Sequence, residues 1–502
     1  MPSATVTQPA YGPVGAWFNF LLSTNGGHLA LLSTYLFAAF VRWTTALNGY
    51  SGAGVPPLHG DFEAQRHWME ITTALPRKEW YRYDLKYWGL DYPLLTAYHS
   101  WMMGRVAQMI NPAWMSLDES RGFESEGLKT FMRLTALVTE WMIYVPAVVL
   151  FANRWVGHGA RVKKNMLIFL ILLQPGLIII DHGHFQYNSA MLGFTLWTVV
   201  ALTTGHHLLA SIFFVLALNF KQMALFYAIP VFSYLLGTCW QSRKGLKLFV
   251  KLGAVVISTF AIIFVVYSTN LSDILQVFRR VFPVERGLYE DKVANVWCAI
   301  SVLVKLRQMF EMQSLVYLSL SATLLAALPS SIHVFRDPRP LPLLYALLNG
   351  SLAFFLFAFQ VHEKSILLPA LPATLLILDD TFAAVFFNSV ALYSMLPLLI
   401  KDDLLLPYVL LGALWLAITA FCWSEATRLQ QVFASVSYAV IATLHILQAT
   451  IPPPARYPDL YTMANVLVST GLFVSMLVYF NYRQLQIAPS TIPISAGKLK
   501  KR

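Results

Sequence analysis

Acidic side chains in a charged, aromatic stretch near the N-terminus are the first candidates for chemistry. Residues 59–70 read HGDFEAQRHWME, and Ala64, Trp68 and Ile71 recur at helical spacing, which predicts an amphipathic helix along a membrane surface. Asp61 at its start is open to two interpretations: an N-cap that accepts backbone N–H bonds, or a general base beside a membrane-embedded substrate. A helix N-terminus stabilises a carboxylate and weakens it as a base, so the two roles compete.

A second acidic candidate, Asp91, lies near the end of an aromatic run. Residues 80–93 read WYRYDLKYWGLDYP and contain six aromatic side chains. Such a density is typical of a belt at a membrane interface. It also suits stacking on sugar rings, whose hydroxyl groups need carboxylate and amide partners. Pro93 holds Tyr92 extended and so fixes the direction of Asp91.

Three further polar clusters lie at the ends of apolar segments. They are 181–188 (DHGHFQYN), 219–222 (NFKQ) and 361–364 (VHEK). The histidines of the first could bind a metal, but no third ligand follows at a typical spacing, so hydrogen bonding to sugar or phosphate is the better prediction. Lys221, in a very short turn, could simply extend its ammonium group to the membrane surface. Each cluster alone is a weak indication, and their convergence on one face predicts a site.

The elements that must position these clusters are membrane helices. Of the 502 residues, 57% are hydrophobic and only 12% charged, and one span needs about 20 mostly apolar residues. This composition predicts an all-α polytopic membrane protein with about fourteen spans, and excludes secreted disulfide-stapled and disordered classes. The sequence contains no internal repeat. The expected spans are 29–47, 131–152, 165–181, 189–204, 207–219, 222–239, 249–268, 313–332, 341–359, 365–379, 381–400, 404–424, 431–450 and 461–481.

Cysteines and net charge narrow the class further. Cys239, Cys298 and Cys422 are far apart, in or beside apolar stretches, so neither a zinc site nor a disulfide framework is predicted.

The apolar run 29–47 is expected to be a retained signal anchor. The net charge of +11 is attributed to cytosolic loops and lipid headgroups, and not to nucleic acid. An anionic substrate is also compatible with it.

Lys and Arg residues give the expected orientation, because they are retained on the cytosolic side. Basic clusters follow the second, sixth and eighth spans, so both termini, with the tail 482–502, are predicted to be cytosolic. The polar segment 48–130 is then a luminal loop. Residues 269–312 are luminal by parity despite six basic residues, and 294–304 are predicted to form an interfacial or re-entrant helix. The basic clusters lie at 154–164, 243–251 and 336–339.

Two short signals agree with this orientation. Residues 498–502 read KLKKR and resemble the cytosolic dilysine signal that returns membrane proteins to the endoplasmic reticulum, although an ordinary basic tail would look the same. Asn270-Leu271-Ser272 is a glycosylation sequon in the second segment placed in the lumen. Together they predict an endoplasmic-reticulum membrane protein.

Four strings of the sequence closely resemble a known family. GDFEAQRHWME at 60–70, WGLDYP at 88–93, HFQYN at 184–188 and VHEK at 361–364 are similar to the endoplasmic-reticulum glucosyltransferases that use dolichyl-phosphate glucose. The similarity extends through nearly the whole chain, including RGLYEDKVAN at 286–295. It is specific enough to imply a fold and an activity.

Within that family, two stretches resemble the enzyme that adds the first glucose more than the sibling that adds the second. They are 65–68, QRHW, and 87–100, YWGLDYPLLTAYHS. Leu94 departs from the family pattern, in which a second proline is expected. This departure carries no consequence for the expected activity.

The resemblance implies a single GT-C membrane domain over 1–502, whose luminal first loop carries the catalytic acid at Asp61. The implied donor is dolichyl β-D-glucosyl phosphate, and the implied acceptor is the high-mannose oligosaccharide on dolichyl diphosphate. Glucose would join a terminal mannose through an α-1,3 bond with inversion. The lipid bilayer is then a third partner.

This reaction needs few catalytic groups. Inversion in one displacement requires a base on the acceptor hydroxyl, and the leaving phosphate mainly needs its charge stabilised, for which Lys, Arg or His suffice without a metal or cofactor. The expected donor-phosphate residues are His362 and Lys364, then Lys221 and Arg286. The expected substrate contacts are Asp91, His184, Gln186, Tyr187 and Glu363.

Two rival functions are weighed against this one. The first is the sibling enzyme that adds the second glucose. The second, from another class, is a transporter or flippase for a lipid-linked sugar, because polar groups at helix ends also suit a translocation path. The large aromatic luminal loop and the lack of a repeat count against transport.

Overall fold

A computed structural model of the chain describes residues 12–24, 26–157, 159–267, 270–282 and 292–488. Every regular element within these ranges is a helix, which confirms the all-α prediction. The α-helices are α1 Gly12–Ser23, α2 Gly27–Ala46, α3 Gly60–Ala74, α4 Leu94–Ile110, α5 Glu126–Trp155, α6 Arg161–Leu172, α7 Pro175–Ile178, α8 Asn188–Thr203, α9 His207–Phe220, α10 Ala228–Gln241, α11 Gly245–Phe264, α12 Leu271–Val281, α13 Val296–Leu303, α14 Leu306–Met309, α15 Met312–Arg336, α16 Pro340–Phe357, α17 Leu367–Leu375, α18 Thr381–Ser394, α19 Leu396–Lys401, α20 Leu405–Ile418, α21 Arg428–Thr450 and α22 Leu460–Leu485. One π-helical turn covers Ile179–Phe185, and short 3₁₀ turns cover Arg77–Glu79, Pro112–Met115, Gln222–Tyr227, Val265–Tyr267, Glu363–Ile366 and Ala420–Glu425.

Nine helical segments of the described chain are long and apolar enough to cross a membrane, and four shorter apolar helices accompany them. The expected total of fourteen spans is not confirmed. The clearest difference is 365–379, where α17 has only nine residues, all of them buried. At 1.5 Å per residue it rises about 14 Å, half of what a bilayer needs. The nine segments are Gly27–Ala46, Glu126–Trp155, Arg161–Phe185, Gln222–Gln241, Gly245–Tyr267, Met312–Arg336, Pro340–Phe357, Arg428–Thr450 and Leu460–Leu485.

A buried ionic group joins three of the central helical segments. Nε and Nη2 of Arg42 in α2 donate to Glu140 of α5 over 2.7 and 2.8 Å, and Nε2 of His182 lies 2.7 Å from Glu140 Oε2. All three side chains are buried. A buried carboxylate is tolerated only when its oxygens are paired, so this contact fixes the π-helical turn against α2 and α5.

The helix predicted near Asp61 is present as α3, but it does not lie along a membrane surface with a solvated polar face. Residues Phe62 to Thr72 are all buried. The polar face is buried because Arg66 satisfies it: its guanidinium donates to Glu63 over 2.7 Å, to Glu70 over 2.6 Å and to the Trp114 carbonyl over 3.0 Å. The first polar loop is therefore folded around α3.

Helix α12, which the sequence did not predict, packs against this loop. Arg82 donates to Asp273 of α12 over 2.7 Å, and Arg280 donates to the carbonyls of Gly89 and Leu90 over 2.8 and 3.2 Å. The second polar segment thus lies on the same face of the molecule as the first. Helix α13 coincides with the expected helix at 294–304, and its placement at a membrane interface stays a prediction.

Candidate active site

Asp61 lies inside the first turn of α3 and does not cap it. The helix begins at Gly60 with His59 in the N-cap position, and the His59 side chain makes no capping hydrogen bond. The N-cap interpretation of Asp61 is therefore wrong. Its carboxylate is instead directed towards other helices.

One oxygen of Asp61 collects three donors from distant parts of the chain. Oδ2 accepts from Nε2 of Gln186 over 2.6 Å, lies 2.9 Å from Nε2 of His184, and contacts Nζ of Lys364. Among the described residues, Oδ1 accepts no hydrogen bond. The side chain is 23% exposed, so Oδ1 is the oxygen available to a substrate.

Two glycines allow α3 to start where it does. Gly52 and Gly60 both have positive φ, at 78° and 67°, and a Cβ on Gly52 would lie 2.0 Å from the carbonyl carbon of His59. The two chain segments therefore cross at backbone contact. Ser51 then links them to the site, because its Oγ accepts from the backbone N–H of Asp61 over 3.2 Å and its own N–H donates to the His184 carbonyl over 3.0 Å.

The π-helical turn directs two histidines to different partners. His182 points to Glu140, as described above, while His184 points to Asp61. The turn ends at Phe185, whose φ of 86° is rare for a residue with a side chain. Insertions of this kind in helices are frequent at functional sites, because they redirect side chains.

Lys364 enters from the short turn Glu363–Ile366 that follows α16. Besides Asp61, its Nζ lies 3.2 Å from Nε2 of His184. His362 directly precedes this turn and Glu363 begins it, and both are half-buried. Lys364 thus reaches Asp61 directly from the turn.

Lys221 lies on another side of the site, next to Gln186 and Asn188. Its Nζ donates to Asn188 over 2.7 Å, lies 3.4 Å from Oε1 of Gln186, and is 5.1 Å from the centre of the Tyr92 ring. The side chain is 2% exposed, so the interpretation that it extends to the membrane surface is wrong. Burial, together with the charge of Lys364, lowers its pKa to about 7.

The remaining predicted residues are Asp91, Tyr187 and Arg286. Asp91 is half-buried, and its charge is close enough to oppose the lowering of the Lys221 pKa. Tyr187 lies away from Asp61: its hydroxyl is 2.6 Å from Thr135 Oγ1, and the side chain is buried. It packs as a core residue. Arg286 lies outside the described residues.

Asp402 was not predicted from the sequence. It lies directly after α19, is buried, and its Oδ2 is 2.5 Å from Nδ1 of His184. The available signal was the KDD string at 401–403 at the end of an apolar run, which indicates topology as readily as chemistry. No group of His, Cys, Asp or Glu in the described part of the chain has the arrangement of a metal site.

The electrostatics of the site favour an ionised Asp61. Burial would raise the pKa of its carboxyl, but the charge of Lys364 and the hydrogen bond from His184 hold that pKa well below its usual range. As long as Lys364 contacts it, Asp61 is a weak base. A ligand that draws Lys364 away would make it a stronger one.

Many apolar helices around a buried group of acid, histidine and lysine define a polytopic membrane protein with an internal site for acid–base chemistry. The ALG6, ALG8 glycosyltransferase family matches residues 38–479, and the chain belongs to this family of GT-C membrane glycosyltransferases. The family membership expected from the sequence is thereby confirmed.

Three relatives that match most of the chain share a name, which in one of them carries a qualifier. A protein of Gallus gallus named "Dolichyl pyrophosphate Man9GlcNAc2 alpha-1,3-glucosyltransferase" is 44% identical over 89% of this chain and 95% of its own length. The Saccharomyces cerevisiae protein of the same name is 39% identical over 89% of this chain and 90% of its own. A protein of Arabidopsis thaliana with the name qualified as "Probable" is 42% identical over 92% and 91%.

Proposed function

We propose that this protein transfers glucose from dolichyl β-D-glucosyl phosphate to the terminal mannose of the dolichyl-diphosphate-linked high-mannose oligosaccharide, forming an α-1,3 bond with inversion. The observation that carries the proposal is Asp61, with one oxygen held by three donors and the other open. The names of the relatives support the acceptor and the bond. The donor is the one that the resemblance to the family implies, and the buried lysines of the site are compatible with its phosphate.

Asp61 is the base of the proposed reaction. The mannose hydroxyl oxygen attacks the anomeric carbon of glucose on the face opposite the phosphate, and Oδ1 of Asp61 takes the hydroxyl proton. The bond from that carbon to the phosphate oxygen breaks, and its electron pair leaves with dolichyl phosphate. One proton moves and one glycosidic bond replaces one phosphate ester.

Cations stabilise the leaving phosphate in this proposal. Lys364, with His362 just before the same turn and Lys221 across the site, supplies charge without a metal or another cofactor. When Lys364 turns to the phosphate, Asp61 loses the cation that lowers its pKa. The base therefore strengthens when the donor is in place. Asp91 and Glu363 are proposed partners for sugar hydroxyls, and Arg286 remains a further candidate for the phosphate.

A cavity beside Lys221 supports a lipid-carried donor. It has a volume of about 230 Å³, adjoins Asn219 and Gln222 on either side of Lys221, and is otherwise lined mainly by apolar side chains. Phe260 and Phe264 of α11 form part of its wall. An isoprenoid chain would bury apolar surface there while its phosphate stays near the lysine.

The proposed location is the endoplasmic-reticulum membrane, with the site on the luminal side and both termini in the cytosol. Nine apolar segments within the described ranges fit a multi-pass membrane protein. The compartment and the sidedness rest on the sequence signals and the basic clusters. Nucleic acid has no part in this function.

A transfer assay separates this function from its rivals. Purified protein in lipid receives labelled dolichyl-phosphate glucose and a lipid-linked acceptor that bears either no glucose or one glucose, with and without a chelator. We expect label only on the acceptor without glucose, and no effect of the chelator. Product only from the one-glucose acceptor would identify the sibling activity. Movement of lipid across vesicles without a glycosidic product would indicate transport.

Asp61→Asn tests the base within that assay. It keeps the size of the side chain and removes its basic charge, so transfer should fall by roughly 10²- to 10⁴-fold, the usual contribution of a general base. Glu119→Gln is the matched control, because Glu119 is an exposed acid of the same loop. Near-normal turnover by folded Asp61→Asn protein would contradict the assignment.

A further inference from the structure

Asp402 has no part in the mechanism above, yet it is buried against the site. Its Oδ2 lies 2.5 Å from Nδ1 of His184, and Nε2 of the same ring lies 2.9 Å from Oδ2 of Asp61. One imidazole therefore lies between two carboxylates. The side chains of His184 and Asp402 are each 2% exposed, so water does not replace the contact between them.

The two carboxylate contacts favour a second proton on that ring. An ionised carboxylate only accepts hydrogen bonds, so each contact needs a proton on the imidazole nitrogen. A neutral imidazole has one proton. If Asp402 takes it, a bare Nε2 would face the lone pairs of Asp61 at 2.9 Å. Only the imidazolium donates to both carboxylates, whereas in the neutral ring Nε2 would accept from Lys364 Nζ, 3.2 Å away.

The charges around the ring agree with a second proton. Asp61 from α3 and Asp402 after α19 carry two negative charges, and Lys364 after α16 supplies one positive charge 3.2 Å from Nε2. Two further cations lie nearby: Arg133 of α5, whose Nη2 donates to the Gly183 carbonyl over 2.7 Å, and Lys221, whose charge interacts with those of Asp61 and Lys364. The positive charges of His184 and Lys364 together match the two negative charges of Asp61 and Asp402.

We propose that Asp402 is a positioning residue that keeps His184 doubly protonated, so that His184 holds Oδ2 of Asp61 and leaves Oδ1 for the acceptor hydroxyl. This role rests on the proposed function of Asp61. In this role, Asp402 affects the protonation of Asp61 and does not affect the binding of the donor.

The test is the pH dependence of kcat/KM for glucose transfer by Asp402→Asn and by Asp403→Asn as control. The amide cannot retain the second proton on His184, so Asp61 loses a cation at 2.9 Å and its pKa rises. Loss of the negative charge of Asp402 would by itself lower the pKa of Asp61. This effect is weaker, because Asp402 lies on the far side of the imidazole ring from Asp61. We expect the acid limb of the profile to move up by about one pH unit, since a cation in contact lowers a carboxyl pKa by about 1–3 units.

The control differs from the test variant by one position. Asp403 is exposed, with φ 58°, a conformation that asparagine adopts readily, so Asp403→Asn should keep the wild-type profile. The donor KM should be unchanged in both variants. A purely structural role of Asp402 would lower the folded fraction, which melting in detergent measures, without moving the limb.

Each outcome decides one question. An unshifted limb in folded Asp402→Asn protein, with active wild type, overturns the role of Asp402 and leaves the proposed function intact. Wild-type protein that transfers no glucose overturns the proposed function itself. If Asp402→Asn does not fold, His184→Gln replaces it: a neutral amide donor to Asp61 should raise the same limb, and an unshifted limb there also overturns the proposal.

Discussion

At the scale of single residues, one ammonium group connects binding and chemistry. Lys364 contacts Asp61 and lies 3.2 Å from His184, so it neutralises the base where the donor phosphate is proposed to bind. Lys221, buried with its pKa lowered to about 7, is the second cation of the same space. Two ammonium groups therefore lie in one space, which suits an anionic substrate.

Lys364→Ala should affect the donor and the pH profile together. Loss of the ammonium raises the donor KM, because one phosphate partner is gone. It also raises the pKa of Asp61, which Lys364 helps to hold low, so the acid limb of kcat/KM moves to higher pH. Initial rates over donor concentration and pH measure both effects.

Lys78→Ala is the control for this charge change, since Lys78 is an exposed residue of the same polar loop. Its kinetics should match the wild type. An unchanged donor KM in Lys364→Ala would remove Lys364 from the phosphate site, whereas an unchanged acid limb would show that another group dominates the ionisation of Asp61.

The residue types of the site could be predicted from the sequence, but their pairing could not. Asp61, His184, Gln186 and Lys364 all lie in strings that stand out from the apolar background. The contact between His184 and Asp402 spans 218 positions and depends on how the helices pack, which no local pattern records. Asp402 was missed for that reason.

At the scale of elements, α3 is the support of the base. Arg66 is fully buried and joins Glu63, Glu70 and the Trp114 carbonyl, so one guanidinium ties the helix to the rest of its loop. The backbone N–H of Asp118 adds a bond to Glu70 over 2.8 Å. The start of α3, and with it Asp61, depends on this network.

Arg66→Met should therefore unfold the loop and abolish transfer. The methionine approximates the volume but leaves two buried carboxylates without their cation, a change that typically costs about 3–5 kcal/mol. Limited proteolysis in detergent, followed by identification of cleavage sites within 75–125, measures the loss. Arg105→Met, at an exposed position, should give the wild-type digestion pattern. Equal digestion of the two variants would show that α3 is held by other contacts.

The sequence predicted where helices occur better than it predicted whether they are surrounded by lipid or by protein. Long apolar runs predicted α5 and α22 because membrane spans are long and apolar throughout. The same rule failed at 365–379, since a short helix buried in protein is as apolar as one in lipid. Helix α12 was not predicted because its charged residues do not pair within the helix. Asp273 binds Arg82, which lies in the first polar loop.

At the scale of the whole molecule, the expected topology divides charge between two ends. The polar loop 48–130 and α12 pack together at the end that holds Asp61. The basic turn 242–244, between α10 and α11, belongs to the opposite end in the expected topology. This division is what orients a multi-pass protein, and it predicts that the two ends face different compartments.

Cysteine labelling in sealed microsomes tests that orientation. Cys239, Cys298 and Cys422 are buried, so the wild-type protein should be almost unreactive towards a maleimide that cannot cross the membrane. Lys244→Cys, in an exposed turn, should react in intact vesicles because it faces the cytosol. Glu119→Cys, equally exposed in the polar loop, should react only after the vesicles are opened. Reaction of Glu119→Cys in intact vesicles, with Lys244→Cys protected, would invert the orientation and place the site of Asp61 on the cytosolic side, away from a luminal acceptor.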